Sequence, residues 1–160
     1  MVLGLYQGFE YPILLKASDR GLAEISFLQK DFDLDTLDYS TNDMFSTQYV
    51  SIYHQLDDYF QGKEVDFDVP LDIRSGTPFQ RTVWDYLRKI PYGQTRSYGE
   101  IARSIGKPGS QRAIGQANGA NPLPIIIPCH RVVAADHKLG GYSAGVEIKR
   151  ALLSIEGVSV

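Results

Sequence analysis

Residues 97–118 read Ser97-Tyr98-Gly99-Glu100-Ile101-Ala102-Arg103-Ser104-Ile105-Gly106-Lys107-Pro108-Gly109-Ser110-Gln111-Arg112-Ala113-Ile114-Gly115-Gln116-Ala117-Asn118. Ser97 with Glu100 three residues on is a capping-box pattern, in which side chains satisfy the open N–H groups of a helix start. It predicts a helix over 98–105. Gly106 to Gly109 punctuates the chain, and Ser110 is placed to cap a second helix over 111–118. Two short helices across a tight turn form a helix-turn-helix, which presents its second helix to a groove of DNA. Ala113, Gly115, Ala117 and Gly119 are small enough for close approach, leaving Gln111, Arg112, Gln116 and Asn118 to reach base edges. Binding with little sequence dependence is expected, with Arg112 also able to fill the space left by a flipped base. A helical hairpin that serves only as scaffold is the alternative.

The pattern continues on both sides. Upstream, Phe79, Val83, Trp84 and Leu87 recur at helical spacing behind Pro78, a residue suited to a first helical turn. Downstream, Ile125-Ile126-Ile127 predicts a short apolar strand, and Gly140-Gly141 a turn. A last helix is expected over 147–156, with Ile148, Leu152, Leu153 and Ile155 on its apolar side. The first thirty residues differ: Val2–Tyr6, Tyr11–Ala17 and Leu22–Leu28 read as strands. An acidic loop follows over 31–43, then a helix over 44–60 stopped by Gly62. Residues 63–77 read as the connection. The expected class is α+β, with a small α/β domain over 1–74 and a mostly helical domain over 75–160.

Charge divides at the same place. Residues 1–74 hold five Lys/Arg against fourteen Asp/Glu, and residues 75–160 hold eleven against five. The basic C-terminal part is suited to an anionic partner, although the chain as a whole is at −3. No apolar run approaches the roughly 20 residues that a bilayer requires, and the first 25 residues include Glu10 and Asp19. No membrane association or leader is expected, and a single cysteine fits a reducing, cytoplasmic setting.

That cysteine, Cys129, lies between Pro128 and His130-Arg131. A thiolate is a potent nucleophile, and adjacent cationic groups lower a thiol pKa. In an extended strand, neighbours face opposite ways, so cooperation of Cys129 with His130 needs a turn or an intervening water. Glu156 is a carboxylate able to orient the imidazole. A small buried hydrophobe remains the plain reading of a lone cysteine.

Pro128-Cys129-His130-Arg131-Val132 resembles the active-site motif of the O6-alkylguanine-DNA alkyltransferases. Gly76-Thr77-Pro78-Phe79-Gln80, Ile90-Pro91-Tyr92-Gly93, Ser97–Ala102, Arg112–Gly115, Asn121-Pro122 and Gly140–Ser143 follow in that family's order. The resemblance covers 76–156 almost continuously, and the first 75 residues loosely. It implies a ribonuclease H-like N-terminal domain and a suicidal DNA repair protein that moves an alkyl group from guanine O6 to Cys129, with O4-alkylthymine as a second substrate. His130 is implied as the base acting through water, Glu156 as its support and Tyr98 as a donor to the purine. Gln111 and Arg112 are implied for DNA, with Arg112 filling the gap of the flipped nucleotide. Asn121 is implied to tie the helix-turn-helix to the active-site strand. Pro124, Val132, Tyr142 and Ser143 are implied around the pocket. No cofactor and no metal are implied, and a monomer acting on double-stranded DNA is expected. A non-repairing branch has Trp in place of the cysteine, and Asn118 stands where relatives often place an apolar residue. An inert lesion-binding protein and a cysteine hydrolase are the competing classes.

Overall fold

Strands β1 (Val2–Tyr6), β2 (Ile13–Ala17) and β3 (Leu22–Phe27) form an antiparallel sheet in chain order, β2 central. The central strand buries Ile13, Leu15 and Ala17 completely, as expected where β-branched and aliphatic residues meet a covered sheet. In this computed structural model residues 1–38 and 42–160 are described, and the chain separates into units Met1–Arg74 and Ser75–Val160.

In the first unit the helix expected over 44–60 is two: α1 (Asn42–Gln48) and α2 (Val50–Phe60), broken at Tyr49 with φ −121° and ψ 28°. Apolar periodicity runs through the break because Phe45, Tyr49, Ile52, Leu56 and Tyr59 all enter one core. Gly4 is required there: a Cβ on it would lie 2.3 Å from the Phe45 ring. Leu22 pairs in parallel with Leu71, and Asp72 accepts from Ser18 and Arg74, which fastens the last residues of the unit to its sheet. Part of the acidic loop expected over 31–43, residues 39–41, lies outside the described residues.

The second unit begins with α3 (Pro78–Leu87), whose Thr77–Gln80 capping box is complete. Helix α4 (Tyr98–Ser104) carries the expected Ser97–Glu100 box, with Ser97 N–H donating to Glu100 at 2.6 Å and Glu100 N–H to Ser97 Oγ at 3.2 Å. Helix α5 (Gln111–Gly119) differs in its start. Ser110 makes no side-chain cap; its hydroxyl donates backwards to Lys107 O at 2.6 Å and closes the turn instead. Trp84 Nε1 donates to Ala117 O at 2.8 Å, locking α5 onto α3 in the core. Two-residue strands β4 (Arg96–Ser97) and β5 (Val132–Val133) pair in parallel, so the start of α4 is hydrogen-bonded to the residues that follow the cysteine. Helix α6 (Val146–Ile155) ends the unit and buries Ile148, Leu152 and Leu153, each contributing about 1.5–3 kcal/mol relative to exposure. Among the described residues no helix is long and apolar enough to cross a membrane.

Candidate active site

The apolar run 125–127 is not a strand. Pro122, Pro124 and Pro128 have no N–H to give a ladder, and the run folds into a turn closed by Ile127 N–H donating to Leu123 O at 2.8 Å. Its isoleucines are apolar because they are buried, not because they pair. Ile125 sits at φ 76°, a left-handed conformation that costs a β-branched residue of order 1–3 kcal/mol. Asn121 holds the turn from inside: its Nδ2 donates to Ile127 O at 2.7 Å, and its Oδ1 accepts from Leu123 N–H at 2.9 Å. A residue two positions past the end of α5 thus fixes the segment that delivers the cysteine.

Cys129, His130 and Arg131 form one 3-10 turn. The turn sends the thiol and the imidazole to different neighbours. Cys129 Sγ is 3.5 Å from the Tyr142 hydroxyl, while His130 Nε2 is 2.6 Å from Glu156 Oε1. Glu156 also accepts from Gly93 N–H at 3.0 Å, from Arg131 Nε at 3.0 Å and from Arg131 Nη2 at 3.0 Å. Arg131 Nη1 donates in turn to Ile90 O at 2.6 Å. A carboxylate at the C-terminus of a helix opposes the helix dipole. Glu156 is tolerated at the end of α6 because an arginine fork and a backbone N–H meet it there.

These environments set protonation. Burial pushes the Cys129 thiol up, against hydrogen bonds from Tyr142 and Asn121 and the positive charge of Lys149. The residues expected to lower it, His130 and Arg131, instead serve Glu156. Burial holds His130 below its usual value in spite of Glu156, so the ring is neutral near pH 7. Glu156 is pushed up by burial but held well below the ordinary carboxylate range by His130 and Arg131. Tyr98, raised by burial and by the charge at Cys129, keeps its phenolic proton.

The remaining expected residues fall in three places. Gln111 and Arg112 are exposed on the first turn of α5, and Tyr98 is half-buried at the start of α4, where a Cβ on Gly115 would touch its ring at 3.7 Å. Pro124 and Val132 are buried on either side of the cysteine. Tyr142 reaches the thiol, whereas Ser143, on the same loop, is exposed. Asn118, expected to reach base edges, does not: it is buried and its Nδ2 donates to Cys129 O at 3.3 Å, so the polar residue at this position grips the cysteine backbone. The sequence reading missed one residue. Lys149 is fully buried on the apolar face of α6, and its Nζ donates to Gly141 O at 3.1 Å. The signal was present: Lys149 precedes Leu152 and Leu153 by three and four residues, the spacing of a shared helix face.

Comparison with known proteins is consistent along the whole chain. The 6-O-methylguanine DNA methyltransferase ribonuclease-like domain matches residues 1–73, and the DNA binding domain of the same family matches residues 78–158. A methylated-DNA–protein-cysteine methyltransferase of Methanosarcina acetivorans is 45% identical over 147 residues, 91% of this chain and 92% of that protein. One from Mycobacterium bovis is 60% identical over 102 residues, covering 64% and 61% of the two chains. A crystal structure of Mycobacterium tuberculosis OGT in complex with DNA superposes with a TM-score of 0.81 at 42% identity, covering 98% of this chain and 92% of that one.

Proposed function

Because the chain belongs to the 6-O-methylguanine DNA methyltransferase family, we propose that Cys129 is the acceptor to which it transfers an alkyl group from O6-alkylguanine. The protein is a DNA-binding, DNA-repair methyltransferase of the protein-cysteine type. One observation carries the assignment of the acceptor. A transfer to protein cysteine needs a cysteine, and Cys129 is the one thiol in the 160 residues.

His130 takes the thiol proton through a bridging water on Nδ1, since Nε2 faces Glu156. The imidazolium that forms is stabilised by the Glu156 carboxylate. Sulfur then attacks the alkyl carbon in line with the departing oxygen: the S–C bond forms as the C–O bond breaks, and the electron pair passes to the purine. The Tyr98 hydroxyl, kept protonated beside Cys129, donates to the purine as that charge develops. The thioether has no group poised to cleave it, so the reaction runs once per chain.

The exposed first turn of α5, with Gln111 and Arg112, supports DNA contact through phosphates more than through base edges. Arg112 enters the stack in place of the extruded nucleotide, and the Pro124, Val132, Tyr142 and Ser143 surroundings receive the base. The substrate is double-stranded DNA read with little sequence dependence by a monomer, and O4-alkylthymine is accepted by the same chemistry.

Intact-mass measurement after incubation with an O6-methylguanine oligonucleotide tests this reading. We expect a gain of one methyl group on Cys129 and none for Cys129→Ser. Tight binding of the methylated duplex without any mass gain would overturn transfer in favour of lesion binding alone, and repeated turnover would overturn the suicidal mechanism.

A further inference from the structure

We propose that Lys149 is the electrostatic partner of the Cys129 thiolate, making the acceptor site neutral only when the sulfur is an anion; this rests on Cys129 being the acceptor. Lysine is almost never fully buried unless it is paired. Lys149 is fully buried, and among the described residues no carboxylate lies within ion-pair distance of it. The acid on its own helix that points into the site, Glu156, is taken by His130, Arg131 and Gly93 N–H. Glu147 and Arg150, its other charged neighbours on α6, are exposed and pair with each other.

The groups that face Lys149 come from two other segments. Cys129 and His130 lie on the 3-10 turn, and both sense its charge. Tyr142 lies on the loop before α6, its ring centroid 5.9 Å from Lys149 Nζ and its hydroxyl 3.5 Å from Cys129 Sγ. One aromatic side chain therefore spans cation and sulfur. The Lys149 ammonium also donates to Gly141 O at 3.1 Å, fixing the loop that holds Tyr142.

The sum of charges decides the matter. With His130 neutral, Lys149 and Arg131 supply two positive charges, and Glu156 one negative. A neutral thiol leaves an uncompensated buried cation, which is costly in a medium of low dielectric. A thiolate cancels it once the proton has passed on from His130 to solvent. Burial draws the Lys149 ammonium down to about 8, and the Cys129 charge pushes it back up.

The test reads the thiol without DNA. The rate at which iodoacetamide alkylates Cys129, with sulfur displacing iodide, is followed against pH for the wild type, Lys149→Met and Lys149→Arg. The half-maximal pH should rise by about one unit in Lys149→Met, a roughly tenfold slowing below the midpoint, and Lys149→Arg should recover most of it. An unshifted profile in folded Lys149→Met overturns the proposal. If circular dichroism shows that variant unfolded, 15N-lysine titration of the wild type and Cys129→Ala replaces it. The Lys149 pKa should fall by about one unit when the sulfur is removed, and no change overturns the pairing. Methyl transfer that persisted in Cys129→Ser would instead remove the acceptor assignment, an outcome that these profiles cannot mimic.

Discussion

His130 Nε2 and Glu156 Oε1 lie 2.6 Å apart with both side chains fully buried, and Arg131 grips the same carboxylate from another side. The three residues come from the cysteine turn and the end of α6, and Gly93 N–H joins them from the turn after α3. Glu156 is therefore a structural hub, and in the proposed reaction it is a chemical support as well.

Removing that hub should cost stability and chemistry at once. Glu156→Ala leaves a buried guanidinium and imidazole without their anion, and breaking a buried pair from one side costs about 3–5 kcal/mol. Denaturant unfolding should report that loss, with Glu156→Gln losing less. Alkyl transfer should slow in both. Wild-type stability in Glu156→Ala would show that the carboxylate is dispensable.

Acid should act through the same pair. His130 has a folded pKa below its unfolded value, so the unfolded chain binds more protons and stability declines as pH falls through about 6.5. Glu156 is depressed as well, so its contribution is present above about 4.5 and is lost below it. Melting temperature should thus fall in two stages between pH 7.5 and 3, and Glu156→Gln should remove the lower one. A flat profile over this range would contradict both directions.

Trp84 anchors α5 through the Ala117 carbonyl. Trp84→Phe leaves that buried acceptor unmet, a cost of about 1–3 kcal/mol beyond the lost packing. Unfolding should shift accordingly, and amide exchange in α5 should quicken more than in α6. Equal protection in the two helices would locate the effect elsewhere.

Arg112 is exposed, so Arg112→Ala should melt with the wild type. Repair of a duplex should slow at least about tenfold, while reaction with free O6-methylguanine base should hold its rate. The salt dependence of DNA affinity should also weaken by about one unit of slope. Equal slowing on duplex and free base would exclude the flipping role.

Much of this site was legible because local rules express themselves locally. The Ser97–Glu100 box and Pro78 mark helix starts by chemistry that lies within four residues, and both stand where they were expected. The run 125–127 misled because burial and strand pairing ask for the same residues; its three flanking prolines were the better guide. The break at Tyr49 left no mark, since both sides of it serve one core. Lys149 was overlooked because its partners, Gly141 O and Tyr142, belong to a loop that has no periodicity to read.

The clamp that unites Gly93, His130, Arg131 and Glu156 bears on how a single-use reagent survives until it is needed. Glu156 and Lys149 reach the cysteine turn from α6 and its end, one binding His130 and the other fixing the loop that holds Tyr142 beside the thiol. The groups that counter the effect of burial on that thiol, Asn121, Tyr142 and Lys149, are likewise brought to it by tertiary structure. Burial in that fold shields the one thiol of the chain from stray electrophiles, so the structure that positions the reagent also guards it.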